Sequence, residues 1–223
     1  MPDKEKHILA IETSGSACSV ALGSESELTA CYSVYSGSAH DKMLAELIRR
    51  ILGDNGIKSV DLSAVACSAG PGSFTGLRIG AAIAKAICFE GDIKLVPVNT
   101  IDAPALHFTE LAGAMNKKQI AVLIGSHKDF YYLGIYDNEA KPAGEIGIFP
   151  AEVIREKLND ETLITGPAAA NFGGRETPIT ADMILKAGRI LLNDNKYIDP
   201  DEFVPFYYQE FVPKQAKNKE LNI

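Results

Sequence analysis

The sequence predicts an α/β protein made of two unequal α/β halves, and three observations carry that reading. Short apolar runs alternate with longer stretches of helical periodicity, the signature of strands interleaved with helices. The first three runs, 7–12, 17–23 and 27–35, are joined by tight turns such as Thr13-Ser14-Gly15-Ser16, so an antiparallel meander precedes any helix. After about residue 113 the plan partly restarts on a smaller scale. The boundary falls near 100–113, giving a first unit of residues 1–104 and a smaller second unit of 105–223.

Each element has its own warrant. His7-Ile8-Leu9-Ala10-Ile11-Glu12 reads as a buried strand, 17–23 as its return, and 27–35 alternates well enough to be a third strand. A helix follows, with Ser38 as its N-cap and Gly53 or Gly56 near its end. Its Met43, Leu44, Leu47, Ile48, Ile51 and Leu52 form a broad apolar stripe, leaving Lys42, Glu46, Arg49 and Arg50 for water. Ala64-Val65-Ala66-Cys67-Ser68 is a strand, and a glycine-rich turn leads into a helix over 74–90. A strand at 95–98 follows, with a helix at 101–112 across the boundary. In the second, 119–125, 130–136 and 146–149 read as strands, 151–158 as a helix, 162–165 as a strand and 181–193 as a helix.

Composition narrows the function classes. The chain has 223 residues, 46% hydrophobic and 23% charged, which suits a soluble globular protein. No apolar run approaches the roughly 20 residues of a membrane helix. The polar, mixed-charge start resembles no export signal, so a cytoplasmic protein with no membrane role is expected. With 22 Lys plus Arg against 29 Asp plus Glu, the net charge is −7. Phosphate backbones are gripped mainly through cations, so any RNA should be held by a partner. Lys214, Lys217 and Lys219 read as a solvated tail. Cys18, Cys31, Cys67 and Cys88 lie in apolar stretches without metal-ligand spacing, as buried reduced thiols do.

The most specific segment is Ser68-Ala69-Gly70-Pro71-Gly72-Ser73-Phe74-Thr75-Gly76-Leu77-Arg78-Ile79-Gly80. It joins a strand end to a helix start, with Ser73 placed to cap. Helix N-termini seat anions readily, so the loop is either a phosphate seat or a structural turn. No Gly-Lys-Ser/Thr follows, and Gly76 comes one residue late for the dinucleotide fingerprint.

In the helix after it, Ile79, Ile83 and Ile87 line up beside a row of small residues, Gly76, Gly80, Ala84 and Cys88. Apolar and small residues sweep an arc of about 260°, whereas a helix on one core needs about 100°. Both this helix and the earlier one therefore need a second covering layer. Either the second half of the chain supplies it, or a partner protein docks there. The partner surface would comprise Leu44, Leu47, Ile48, Ile51, Gly76, Ile79, Gly80, Ile83 and Ile87, with Gly76 and Gly80 admitting a crossing helix.

Three stretches, Ile8-Leu9-Ala10-Ile11-Glu12-Thr13, Cys18-Ser19-Val20-Ala21-Leu22 and Gly70 through Gly80, resemble the TsaB family, and the match is good over 7–104. The resemblance implies the ASKHA fold of actin and sugar kinases, in two ribonuclease-H-like subdomains with the second reduced. It implies a non-catalytic dimerisation subunit that pairs with TsaD through the two helices, recruits the ATPase TsaE, and forms a homodimer when alone. TsaD would transfer threonylcarbamoyl to the adenosine beside the anticodon of tRNAs reading codons that begin with A; tRNA would meet this chain only through the complex.

The phosphate hairpin of that superfamily falls here on Glu12, Thr13 and Ser14, in degenerate form because the first position is usually aspartate. TsaD holds a metal through His-x-x-x-His; here His40 is followed at that spacing by Leu44, so no metal and no cofactor are expected. Gly125-Ser126-His127 replaces a usual Asp-Ala-Arg, and Gln209 replaces a usual arginine after Pro205-Phe206-Tyr207-Tyr208. Two rival readings remain. A small phosphotransferase of the same fold would need a second glycine loop, for which Gly166-Pro167 and Gly173-Gly174 are the candidates. A peptidase would need a nucleophile beside a base, and His40, His107 and His127 are dispersed.

Overall fold

The computed structural model describes residues 6–35, 40–89, 91–144 and 146–206. The first half forms β1 (His7–Glu12), β2 (Cys18–Gly23), β3 (Leu28–Val34), α1 (His40–Asp54), β4 (Leu62–Gly70), α2 (Phe74–Phe89) and β5 (Lys94–Asn99). Then follow α3 (Asp102–His107), α4 (Thr109–Ala114), β6 (Gln119–Gly125), β7 (Phe130–Asp137), β8 (Gly147–Pro150), α5 (Ala151–Lys157), β9 (Thr162–Thr165) and α6 (Ala181–Asn193). No helix among the described residues is long and apolar enough to cross a membrane.

The strands make two sheets, ordered β3-β2-β1-β4-β5 and β8-β7-β6-β9. In the first, β1 to β3 run antiparallel while β4 and β5 join β1 in parallel. The second repeats that order and those directions without a fifth strand. Two ribonuclease-H-like units, the second reduced, are therefore the architecture, as the resemblance implied.

Parallel strands need crossovers, and α1 and α2 supply them on one face of the first sheet. Leu9, Ile11, Val20, Leu22, Val65 and Cys67 form the core with α1 and α2. Their neighbours in sequence, Ile8, Ala10, Ala21, Ala64 and Ala66, belong to a separate core with residues of α3, α6, β6 and β7. Small alanines on that side let α6 lie close. Its first amide, Ala181 N, donates to Ser19 Oγ of β2 at 3.0 Å, so the cap comes from another element. The order of layers is α1/α2, first sheet, α3/α6, second sheet, α5. The helix α6 belongs to the second half by sequence yet packs mainly on the first sheet.

Two details differ from the sequence reading. The single helix expected over 101–112 is broken at Phe108, which leaves the helical region at φ −93°, ψ 9°. There Thr109 Oγ1 donates back to the Leu106 carbonyl at 3.1 Å, a side-chain bond that competes with helix continuation. The expected cap Ser38 lies outside the described residues.

Candidate functional site

The glycine loop and the β1–β2 turn meet at the ends of the parallel strands, where open α/β sheets commonly bind ligands. In this chain the two loops bind each other. Ser73 N donates to the Ser14 carbonyl at 2.7 Å. Thr13 Oγ1 donates to the Gly76 carbonyl at 2.8 Å. Ser73 caps α2 as its position predicted, taking the Gly76 amide on its hydroxyl at 3.2 Å. Behind the loop, Gly70 N donates to Thr100 Oγ1 at 3.1 Å and the Gly70 carbonyl accepts from Thr100 N at 2.9 Å. Two of the amides that would face a phosphate, Ser73 N and Gly76 N, are engaged within the chain. Of the two readings of this loop, the geometry supports the structural turn.

Glu12, Thr13 and Ser14 are buried with it. Glu12 Oε1 accepts from both Ser14 N and Ser14 Oγ at 2.5 Å, and the buried Ser68 hydroxyl and the Gly15 amide also face this carboxyl. Burial pushes the Glu12 carboxyl up to about 7, against the opposing pull of the Ser14 hydrogen bonds. It therefore resists carrying charge, which suits a strut of the turn better than a ligand for a cation. Arg78, on the exposed face of α2, lies 3.9 Å above the ring of Phe74. Among the described residues, no three His, Cys, Asp or Glu side chains stand together as metal ligands; the side chain of His40 lies outside them.

The small residues of α2 correct the expected partner surface. A Cβ on Gly76 would run into the carbonyl oxygen of Thr13, and one on Gly80 would come within 2.5 Å of Thr13 Oγ1. These glycines admit the β1–β2 turn, not a foreign helix. Leu44 and Ile51 are fully buried and Leu47 is 6% exposed, in the chain's own core with Leu9, Val20 and Leu22. They belong to the inner side of α1, so of the nine residues assigned to a partner surface these five face inward. The sequence showed that the apolar arc was wide but not how its parts were shared.

The remaining four border the outside. Ile48 is 8% exposed, and Ile79, Ile83 and Ile87 are half-buried. Between α1 and α2 runs an apolar groove of about 260 Å³ lined by Ala45, Ile48, Ile83, Ala86 and Ile87. Ala45 and Ala86 were missed from sequence, although each sits one helical turn from a named isoleucine. Among the described residues the second half does not cover this groove, because α5 and the second sheet lie beyond the opposite face of the first sheet. Among the described residues, the short 3-10 turn Pro200–Glu202 and the buried Phe203 cover a flank of α2. On the outer side of α1, Glu46 accepts from Arg49 Nε at 2.7 Å and Arg50 Nε at 2.6 Å. The Arg49 and Arg50 hydrogen bonds pull its carboxyl down to about 2.

Among the described residues the rival sites do not assemble. Gly166 leads into the 3-10 turn Ala169–Phe172, packed on the backbone of Leu123, and Gly173 ends that turn. Neither opens an α-helix. Ser126 Oγ lies 3.2 Å from His127 Nδ1, but on an exposed turn after β6 where the imidazole stacks on Phe130. His107 Nδ1 lies 3.8 Å from Asp182, and Cys31 Sγ approaches the other side of that carboxylate at 3.9 Å. Its burial, and then Asp182, raise the Cys31 thiol, the reverse of activation.

Residues 35–180 match the family described as TsaD: tRNA N6-adenosine threonylcarbamoyltransferase. The chain is 38% identical over 109 residues to the tRNA threonylcarbamoyladenosine biosynthesis protein TsaB of Haemophilus influenzae, covering 49% of this chain and 46% of that one. It thus spans about half the length of that relative. To the protein of the same name from Escherichia coli it is 27% identical over 197 residues, covering 83% of this chain and 80% of that one. The solved structure of YeaZ from Pseudomonas aeruginosa superposes with a TM-score of 0.75 at 22% identity, over 91% of this chain and 99% of that one.

Proposed function

Because the chain belongs to the tRNA N6-adenosine threonylcarbamoyltransferase family, in its TsaB branch, we propose that it serves threonylcarbamoyladenosine formation on tRNA as a non-catalytic subunit. Its role is to pair with the transferase TsaD and to bring the ATPase TsaE to that pair. The observation that carries this reading is the apolar groove between α1 and α2, whose walls are Ile48, Ile83 and Ile87 with Ala45 and Ala86. Within the described residues nothing of the chain lies over it.

The family match includes both helices, so a TsaD partner of the same fold presents an equivalent pair. Two such pairs can pack ridge into groove, and the alanines allow close approach. The engaged glycine loop and the buried Glu12 support the absence of catalysis, since a phosphate or metal would have to displace bonds the fold already uses. The acidic charge of −7 supports leaving tRNA to the partner. Where TsaD is missing, the same groove serves for pairing two copies.

The test is association. Ile83→Glu places a charge without a counter-ion in the seam, which costs about 3–5 kcal/mol when buried unpaired. In the free chain the residue is half-exposed, so folding should survive. Sedimentation of the variant with TsaD should show separate species where the native chain forms a complex. Reconstituted modification with TsaD, TsaE and tRNA should then fail in step. Unchanged complex formation by the variant would refute the placement of the seam.

A further inference from the structure

A second cavity lies on the opposite side of the first sheet from the α1/α2 groove, where the two halves of the chain meet. It holds about 280 Å³ between the end of β5, helices α3 and α6, and the connection from β7 to β8. That is near the small end of ligand clefts, which run about 300–1,000 Å³ and favour such junctions. Its walls are apolar: Val98, Leu106, Ala187, Ile190 and Leu191. Ile190 is 46% exposed, so an apolar side chain of α6 stands at the mouth in water.

The charged side chains that line this cavity are of one sign. Asp102, at the start of α3, and Glu139, on the β7–β8 connection, both line it, and no Lys, Arg or His does. The phenol of Tyr136 donates to Asp102 Oδ1 at 2.5 Å, which uses one carboxylate oxygen and fixes the side chain between the halves. Among the described residues no donor meets the other oxygen. Glu139 is held at the rim by Lys141 Nζ at 2.5 Å, both largely exposed. Burial raises the Asp102 carboxyl above its ordinary range, the response of a carboxylate short of positive charge.

The geometry points to a binding site for a small organic amine, its ammonium on the Asp102 carboxylate and its apolar body against Leu106, Ile190 and Leu191. An ammonium supplies the donors that the free oxygen lacks and the charge that the apolar walls withhold. A carboxylate or phosphate ligand would instead meet the Asp102 carboxylate, and a neutral apolar ligand would leave Asp102 desolvated without a counter-ion. This site is independent of pairing with TsaD, because it lies across the sheet from α1 and α2.

The experiment uses the full chain and three probes of one shape: 2-phenylethylamine, 2-phenylethanol and phenylacetate. Amide and methyl NMR shifts are followed against probe concentration. The amine should shift Val98, Leu106, Ile190 and Leu191 saturably and bind at least tenfold more tightly than the alcohol, while phenylacetate leaves these signals unmoved. Asp102→Asn keeps the shape and an acceptor for the Tyr136 phenol, and should lower amine affinity at least tenfold with an unchanged melting temperature. Ala187→Phe, which fills the cavity, should abolish saturable shifts. Equal binding of amine and alcohol, no saturable shift with the amine, or an Asp102→Asn variant that binds as well as the native chain would each overturn the assignment. Should Asp102→Asn fail to fold, the comparison of the three probes on the native chain decides alone.

Discussion

Gly76→Ala sets two physical effects of opposite sign against each other within one methyl group. Alanine is favoured over glycine in a helix interior by about 1 kcal/mol, so propensity alone predicts a more stable protein. The structure predicts the reverse. The new Cβ would collide with the Thr13 carbonyl, which is backbone and cannot swing aside like a side-chain tip. To admit it, the β1–β2 turn must lift from α2. That movement strains the buried bond from Thr13 Oγ1 to the Gly76 carbonyl, 2.8 Å, and the bond from Ser73 N to the Ser14 carbonyl, 2.7 Å. Overpacking costs about 1–3 kcal/mol, and one buried hydrogen bond lost adds about 1 kcal/mol. Set against the propensity gain of about 1 kcal/mol, the net loss is about 1–3 kcal/mol. Urea unfolding followed by circular dichroism measures it, a suitable probe because the chain has no tryptophan. Gly53→Ala near the end of α1 is the matched control, since nothing lies within 4 Å of its added Cβ, and it should stabilise by about 0.5–1 kcal/mol. If Gly76→Ala stabilises as Gly53→Ala does, the contact between turn and helix has been misjudged.

Other expected outcomes follow from the same geometry. Glu12 stays neutral in the folded chain up to about pH 7, whereas the unfolded chain ionises it from its ordinary value of 4.5. Stability from this group is therefore complete below about pH 4.5 and falls by about 3 kcal/mol as pH rises through 7, at about 1.36 kcal/mol per pKa unit. Denaturation of the native chain and Glu12→Gln across pH 4 to 8 should show the variant gaining relative to the native chain as pH rises; a constant difference would contradict this. Leu44→Ala opens a cavity in the chain's own core and should cost about 2–5 kcal/mol of stability, read from urea midpoints, where Ile83→Glu acts on association. Burial pushes the thiols of Cys18 and Cys88 up to about 11 and about 12, and raises Cys67 as well. Mass spectrometry after iodoacetamide at pH 8 should find half-buried Cys31 labelled first, and early labelling of Cys67 would be inconsistent with its burial.

Much of the fold was legible because strand and helix periods differ. The runs at 7–12, 119–125, 162–165 and 181–193 match elements to the residue. The break at Phe108 was not legible, because the apolar pattern continues through it and only the back-bond of Thr109 marks the interruption. Of the candidate site, the cap role of Ser73 was readable from its place before Phe74. The docking of Thr13 on Gly76, 63 positions away, was not. Nor was the cavity beside Asp102, which joins residues from four elements spread over 98–191.

The sequence by itself determined the meander, the glycine turn with its capped helix, the acidic charge and the excess width of the apolar arcs on α1 and α2. All of these follow from nearest-neighbour geometry and composition, which a linear order of residues contains. Only the tertiary structure decided which part of each arc is core and which is groove. That division depends on which elements arrive from afar: Thr13 over Gly76 and Gly80, Phe203 along α2, and α6 on the far face of the sheet. A helix wheel shows how much surface must leave water, but the partner that removes it is chosen by contacts the wheel does not contain.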